Sequence, residues 1–255
     1  MRKNKIRSLF LIALLALMGI SVSYAGLQNQ IYIQGTVNTT NDFNLMHQKT
    51  YLACDTINAD ATPDQSPYKS DGILKPDASI GPKINFNGKK QSCLSFDGIN
   101  DYIEITDESH LDLTDSFTLM AWIKPTEVTS SNWEEDHTII AKKQSYYLSI
   151  NDTGFLSFYG YDLTNEWVPS INLSTYLNLW THVAVTYEES QLTIYVNGNI
   201  ETTASYIGTL KQTDDPVTIG WVNHKRYYNG CMDEIKIYDT ALTYDEIQQH
   251  YLLYI

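Results

Sequence analysis

Apolar and polar residues alternate with period two in a series of short runs, beginning at Cys93 and spaced by turn residues. This pattern predicts half-buried strands rather than helices. The runs lie at 93–97, 101–105, 117–124, 138–142, 146–150, 155–159, 180–187, 191–196, 199–205, 217–221 and 232–238, with an earlier one at 51–55. In Phe117-Thr-Leu-Met-Ala-Trp-Ile-Lys124 the alternating sets Phe117, Leu119, Ala121, Ile123 and Thr118, Met120, Trp122, Lys124 both hold bulky residues. That is expected of a strand in the middle of a sheet. Asn197-Gly198 between two runs predicts a type I′ hairpin, because both turn positions need positive φ. Asn151-Asp-Thr-Gly154 predicts a longer hairpin loop, and Gly98-Ile-Asn-Asp101 a turn between the first two runs. One helix is expected. Thr243-Tyr-Asp-Glu246 reads as a capping box, followed by Ile247 and Tyr251 on one face.

Outside these runs the pattern fades. Residues 58–82 are rich in Asp, Pro, Ser and Gly and predict a long loop. Residues 26–49 read as a loosely ordered leader, and 50–255 as the domain. Residues 1–25 have the form of a signal peptide: Arg2, Lys3, Lys5 and Arg7, then an apolar run, then Ser23 and Ala25 before a cleavage point. The apolar run is shorter than the roughly 20 residues that span a bilayer. An exported chain is expected, periplasmic or extracellular, with no membrane insertion of the mature protein.

Charge then narrows the partners. The chain has 17 basic and 30 acidic residues, a net charge of −13. Removing 1–25, which holds four of the basic residues and none of the acidic ones, leaves −17. Such a surface repels phosphate backbones, so nucleic acid is an unsuitable partner. Three cysteines, Cys54, Cys93 and Cys231, allow one disulfide in an oxidising compartment. Three pairings are open; Cys54–Cys93, tying the opening strand to the next, is the expected one.

Taken together, several segments resemble the laminin-G-like jelly-roll domains of the concanavalin A-like lectin/glucanase superfamily. They are Phe96-Asp-Gly-Ile-Asn-Asp-Tyr-Ile103, Phe117-Thr-Leu-Met-Ala-Trp-Ile-Lys-Pro125, Trp180-Thr-His-Val-Ala-Val-Thr-Tyr187, Leu192-Thr-Ile-Tyr-Val-Asn-Gly198, Gly230-Cys-Met-Asp-Glu-Ile-Lys-Ile-Tyr238 and Ala241-Leu-Thr-Tyr-Asp-Glu-Ile247. The resemblance implies an all-β, two-sheet antiparallel jelly-roll sandwich with a short C-terminal helix. It also implies a structural calcium, with Asp233, the Gly98 carbonyl and an oxygen near Asp55 as ligands. Calcium takes six to eight oxygens, so waters would complete such a shell. The competing reading is that Asp97, Asp101 and Asp233 cap turns through hydrogen bonds to backbone N–H groups.

Nineteen tyrosines and five tryptophans supply flat apolar faces of the kind that stack on sugar rings. Trp133, Tyr159, Tyr161, Trp167 and Trp221 are the candidate ligand contacts, with Tyr227 and Tyr228 beside them. Trp122 and Trp180 lie inside strands and read as core. No catalytic residue is assigned. The Glu-x-Asp-x-x-Glu strand motif of the superfamily's glycosidases does not occur. Asp233 and Glu234 are adjacent, so on a regular strand they face opposite ways, and His182 reads as a structural histidine. The expected function is an exported, non-catalytic module recognising a carbohydrate or extracellular polymer. Two alternatives stay open: adhesion to a cell-surface protein or a structural envelope role, and a glycoside hydrolase with an unrecognised site.

Overall fold

The computed structural model describes residues 47–255 except 77–80, 107–108, 130–135, 165–166 and 223–226. It also describes two short strands, β1 (Val22–Ser23) and β2 (Tyr32–Ile33), which pair antiparallel. Residues 1–46 form one unit and 47–255 another. The rest of the expected signal peptide, most of the expected leader, and Trp133 lie outside the described residues.

The second unit is a sandwich of two antiparallel sheets. In chain order the strands are β3 (Gln48–Leu52), β4 (Ala61–Thr62), β5 (Gly72–Lys75), β6 (Lys83–Asn85), β7 (Cys93–Asp97), β8 (Tyr102–Ile105), β9 (Phe117–Pro125), β10 (His137–Lys142) and β11 (Tyr146–Ile150). There follow β12 (Phe155–Gly160), β13 (Trp167–Asn172), β14 (Thr181–Glu188), β15 (Gln191–Val196), β16 (Asn199–Ser205), β17 (Val217–Ile219), β18 (Asn229–Tyr238) and helix α1 (Tyr244–Leu252). The first sheet runs β16-β15-β14-β9-β18-β7-β6, with β3 also on β18; the second runs β13-β12-β11-β10-β17-β8-β5-β4. The first and last strands of the domain meet, β3 pairing with β18.

The core lies between the sheets. Phe117 packs within 5.5–6.4 Å (ring centroids) of Tyr187, Phe158 and Tyr146, joining both layers. The predicted alternation on β9 is present, with both faces covered: Phe117, Leu119, Ala121 and Ile123 enter the main core, while Met120 joins a second cluster with Ala184, Tyr195, Tyr238, Leu242 and Ile247. Helix α1 supplies Ile247 to that cluster and stacks Tyr251 on Trp122 at 5.7 Å. Its capping box is formed as predicted: the Glu246 amide donates to the Thr243 hydroxyl, and the Thr243 amide donates to the Glu246 carboxylate. At the hairpin Asn197 has φ 51° and Gly198 φ 76°, as a type I′ turn requires.

Long β18 changes partner along one side. Asn229–Met232 pairs with β7, and Ile235–Tyr238 with β3. Between them the register against β9 slips, and Glu234 adopts φ 52°. This bulge turns both Asp233 and Glu234 away from solvent, at 0% and 2% exposure, instead of onto opposite faces.

Other differences from the sequence pattern have local causes. The first strand of the unit begins at Gln48, inside the expected leader. The expected 58–82 loop contains β4 and β5, strands of two and four residues too short to show a period. It is organised by buried Asp64, whose carboxylate accepts from the amides of Tyr51, Ser66 and Ser70. Strand β13 is missed because Pro169 interrupts its alternation; β13 is a sheet edge, where a proline costs no ladder bond.

Candidate functional site

The outer face of the second sheet carries the aromatic candidates. Along β12, Leu156 and Phe158 enter the core, so Phe155, Ser157 and Tyr159 face outward. The cross-strand register then builds one row over all eight strands. Trp167 lies opposite Tyr159, Tyr159 opposite Tyr147, and Tyr147 opposite Ala141. The row continues through Thr218, Glu104, Ile73 and Ala61. At about 4.8 Å per strand, the Trp167–Tyr147 segment alone spans roughly 10 Å.

The rings form two groups. Tyr147 and Tyr159 stack at 4.9 Å with their planes 4° apart, and Tyr161 meets Tyr159 edge-on at 4.8 Å. Trp167, at the sheet edge, is 48% exposed. In the second group Trp221 stacks on Tyr227 at 5.6 Å and tilts against Tyr102 at 5.0 Å. Val222, next to Trp221, packs with Ala141 and Tyr147 and so joins the groups. Burial raises the Tyr102 and Tyr227 hydroxyls above the usual tyrosine range, with Glu104 adding to the first and Tyr102 to the second. Both therefore stay protonated, as donors. Glu104 is paired with Lys75 at 3.2 Å.

Four of the five candidate ligand contacts, Tyr159, Tyr161, Trp167 and Trp221, thus share one sheet face with Tyr227. Tyr228 does not: it is fully buried and donates to the Cys231 carbonyl. Tyr147 and Tyr102 complete the surface and were not anticipated. The signal for Tyr147 lay in Tyr146-Tyr147, since two adjacent tyrosines on a strand must face opposite sides. A groove of about 710 Å³ on the other sheet, between Glu188–Gln191 and Ala241–Tyr244, contains none of the candidate residues.

The expected calcium ligands do not form one coordination shell. Asp233 Oδ2 accepts from the amides of Lys89 and Lys90 at 2.8 and 3.1 Å, and Asp55 Oδ1 from the Ser92 amide at 2.9 Å. These two carboxylates flank one loop, and Asp233 Oδ1 is buried without a hydrogen-bond partner. Gly98, however, follows Asp97, which pairs with Asn229. Asn229 lies four residues, about 13 Å, along β18 from Asp233, and Gly98 is one step further still. The segment over Asp233 is 89–92 instead. Among the described residues, no three His, Cys, Asp or Glu side chains gather as metal ligands do. Burial raises the Asp233 carboxyl to about 7.

Asp97 and Asp101 cap their turn: Asp97 Oδ1 accepts from the Ile99 and Asn100 amides, and Asp101 Oδ2 from the Asp97 amide. His182 is buried against Trp122, and burial lowers it to about 3, so it is neutral. The expected Cys54–Cys93 bond is not made; all three cysteines are free and buried. Cys54 sits in the core with Leu94, whereas Cys93, one residue before Leu94 on β7, faces the opposite side.

No helix among the described residues is long and apolar enough to cross a membrane. No curated protein sequence matches the chain. Its fold is that of several solved domains. The binding domain of Paraclostridial Mosquitocidal Protein 1 superposes with TM-score 0.63 at 18% identity, over 82% of this chain and 53% of that one. Domain 4 of AbnA, a GH43 extracellular arabinanase from Geobacillus stearothermophilus, solved with arabinotriose, gives 0.60 at 17% identity, over 79% of this chain and 97% of that domain. Trypanosoma rangeli sialidase gives 0.59 at 15% identity, over 80% of this chain and 32% of the sialidase. The chain thus spans about half of the mosquitocidal binding domain and a third of the sialidase. In sequence, residues 97–248 match the Laminin_G_3 family model, and the chain belongs to this family of the concanavalin A-like lectin/glucanases superfamily.

Proposed function

We propose that the chain is an exported, non-catalytic binding module that holds a carbohydrate polymer across the outer face of its second sheet. The observation that carries this reading is the Trp167–Tyr159–Tyr147 row, with Trp167 half exposed at its end. Apolar C–H faces of sugar rings cover such rings and release water from them. The spacing between strands is close to the length of one sugar, so a chain lying across the strands meets a new side chain at each unit. Glu104 and the hydroxyls of Tyr102 and Tyr227 offer hydrogen bonds to sugar hydroxyls. Within the eight-strand row Glu104 is the one carboxylate, and its pairing with Lys75 suits it to orienting a ligand rather than to acid–base work.

A protein receptor is the second reading, supported by the binding domain of botulinum neurotoxin DC, a structural relative solved with rat synaptotagmin II. Retention of the protein on immobilised polysaccharides, compared with Trp167→Ala, tests the proposal. The expected result is retention on a subset of polysaccharides and its loss in the variant. Failure on every polysaccharide, with equal behaviour of the variant, overturns it.

A further inference from the structure

Cys93 and Cys231 lie on neighbouring strands of the first sheet and on the same, outer, side of it. In the β7–β18 ladder Cys231 is opposite Ser95 and Met232 opposite Leu94. Leu94, Phe96 and Met232 enter the core, so Cys93, Ser95 and Cys231 all face away from it. Cys93 and Cys231 are therefore diagonal neighbours across one pair of strands. Asn85 fixes how they lie: it is opposite Cys93 in the β6–β7 ladder, yet its Nδ2 reaches Cys231 Sγ at 3.6 Å. The Cys231 side chain thus leans from β18 over β7, toward Cys93. Cys93 is fully buried, and Cys231 retains 9% exposure.

We propose that Cys93 and Cys231 are a dithiol–disulfide pair, oxidised by an external small-molecule or protein disulfide, and that Cys54 remains a core thiol. Cys231 is the residue that begins the exchange. The Cys93 thiol bonded to it draws the Cys231 thiol down to about 7 against the effect of burial, and Ser95, Lys124 and Asn85 add to this. The same contact, followed by burial, raises Cys93, so Cys93 holds the proton. The Cys231 thiolate attacks one sulfur of the oxidant, forming a mixed disulfide and releasing the oxidant's other sulfur as a thiolate. Cys93 then loses its proton and attacks Cys231 Sγ, expelling the second thiolate. In the balance, two protein thiols lose two electrons and two protons, and one disulfide becomes two thiols.

Diagonal pairs have Cα atoms roughly 7–8 Å apart, and a disulfide wants at most about 6.8 Å. Closure therefore needs β7 and β18 to draw together by about an ångström. On its far side β7 has only the three-residue edge strand β6, which can follow.

The test is a peptide map of the full chain after incubation with oxidised glutathione and alkylation of remaining thiols under denaturing conditions. Trypsin places the cysteines on separate peptides, 50–69, 91–142 and 227–236. The expected product links 91–142 to 227–236 and leaves Cys54 alkylated. In Cys93→Ser the expected product is a glutathione adduct on Cys231. A link involving 50–69, or alkylation of all three cysteines in the wild-type chain, overturns the proposal. The wild-type map needs no substitution, so it decides the question even where a variant folds poorly.

Discussion

Glu234→Gln is expected to destabilise the domain by about 3 kcal/mol, although it removes a single negative charge and no side-chain volume. The Glu234 carboxylate accepts from the Tyr51 hydroxyl at 2.8 Å, from the Tyr254 hydroxyl, and from Lys236 Nζ at 3.2 Å. It thereby ties together β3, β18 and the chain end beyond α1. The side chains of Glu234 and Lys236 are 1% and 6% exposed, so solvent screens the pair little. Lys90 at 3.8 Å contributes less, being 43% exposed. Glutamine keeps the hydroxyl partners and leaves the Lys236 ammonium buried without its counter-charge. Removing one partner of a buried pair costs roughly 3–5 kcal/mol. Burial already lowers the Lys236 ammonium, with Glu234 opposing. The variant can shed part of the penalty by losing that proton, which favours the lower figure. Glutamine is preferred to alanine because the positive φ of 52° is then unchanged in its cost. Urea unfolding of wild type, Glu234→Gln, Lys236→Met and the double variant gives the coupling directly. The double variant should recover to within about 1 kcal/mol of wild type, since an uncharged pair carries no desolvation penalty. A Glu234→Gln loss below about 1 kcal/mol, or a double variant as unstable as the sum of the singles, refutes the reasoning.

Trp167→Ala should weaken polysaccharide binding about tenfold with little change in melting temperature. Covering the exposed half of the indole removes roughly 100 Å² from water, worth about 2.5 kcal/mol before and about 1.4 kcal/mol after ordering costs, and titration calorimetry reads the loss. Acid should loosen the C-terminal helix. Burial first, and then Lys236, lowers His250 to about 3, and His182 is held equally low. Their folded values lie below the unfolded 6.5, so stability falls as pH drops from about 6.5 toward 3, by about 2 kcal/mol per histidine at pH 5. Thermal melts of His250→Gln should show a shallower decline over that window; an unchanged slope refutes the assignment. Asp233 acts in the opposite sense. Its folded value, raised to about 7, means that stability is lost as pH rises from about 4 to 7, so Asp233→Asn should gain on wild type between pH 5 and 8. Gly198→Ala should cost about 1–2 kcal/mol by urea unfolding, because a Cβ at φ 76° would sit 2.9 Å from Gln248 Nε2, which donates to the Gly198 carbonyl.

Features carried by contiguous residues were legible in the sequence. The alternation on 117–124, the Asn197-Gly198 hairpin and the Thr243–Glu246 box each depend on neighbours within a few positions, and each is present. The family resemblance, built from such segments in order, also holds. Tertiary structure alone decided what depends on register. Nothing local places Trp167 opposite Tyr159 and Tyr159 opposite Tyr147, because that row is set by how strands distant in sequence align. The bulge at Glu234 is equally non-local: β18 passes from β7 to β3, and the slip buries two adjacent carboxylates that a regular strand would separate. The same dependence on strand facing turns Cys54 into the core and Cys93 toward Cys231, a choice that cysteine count and spacing leave open. Local chemistry determined which elements form; the packing of the two sheets decided which side chains share a face, and with it the site.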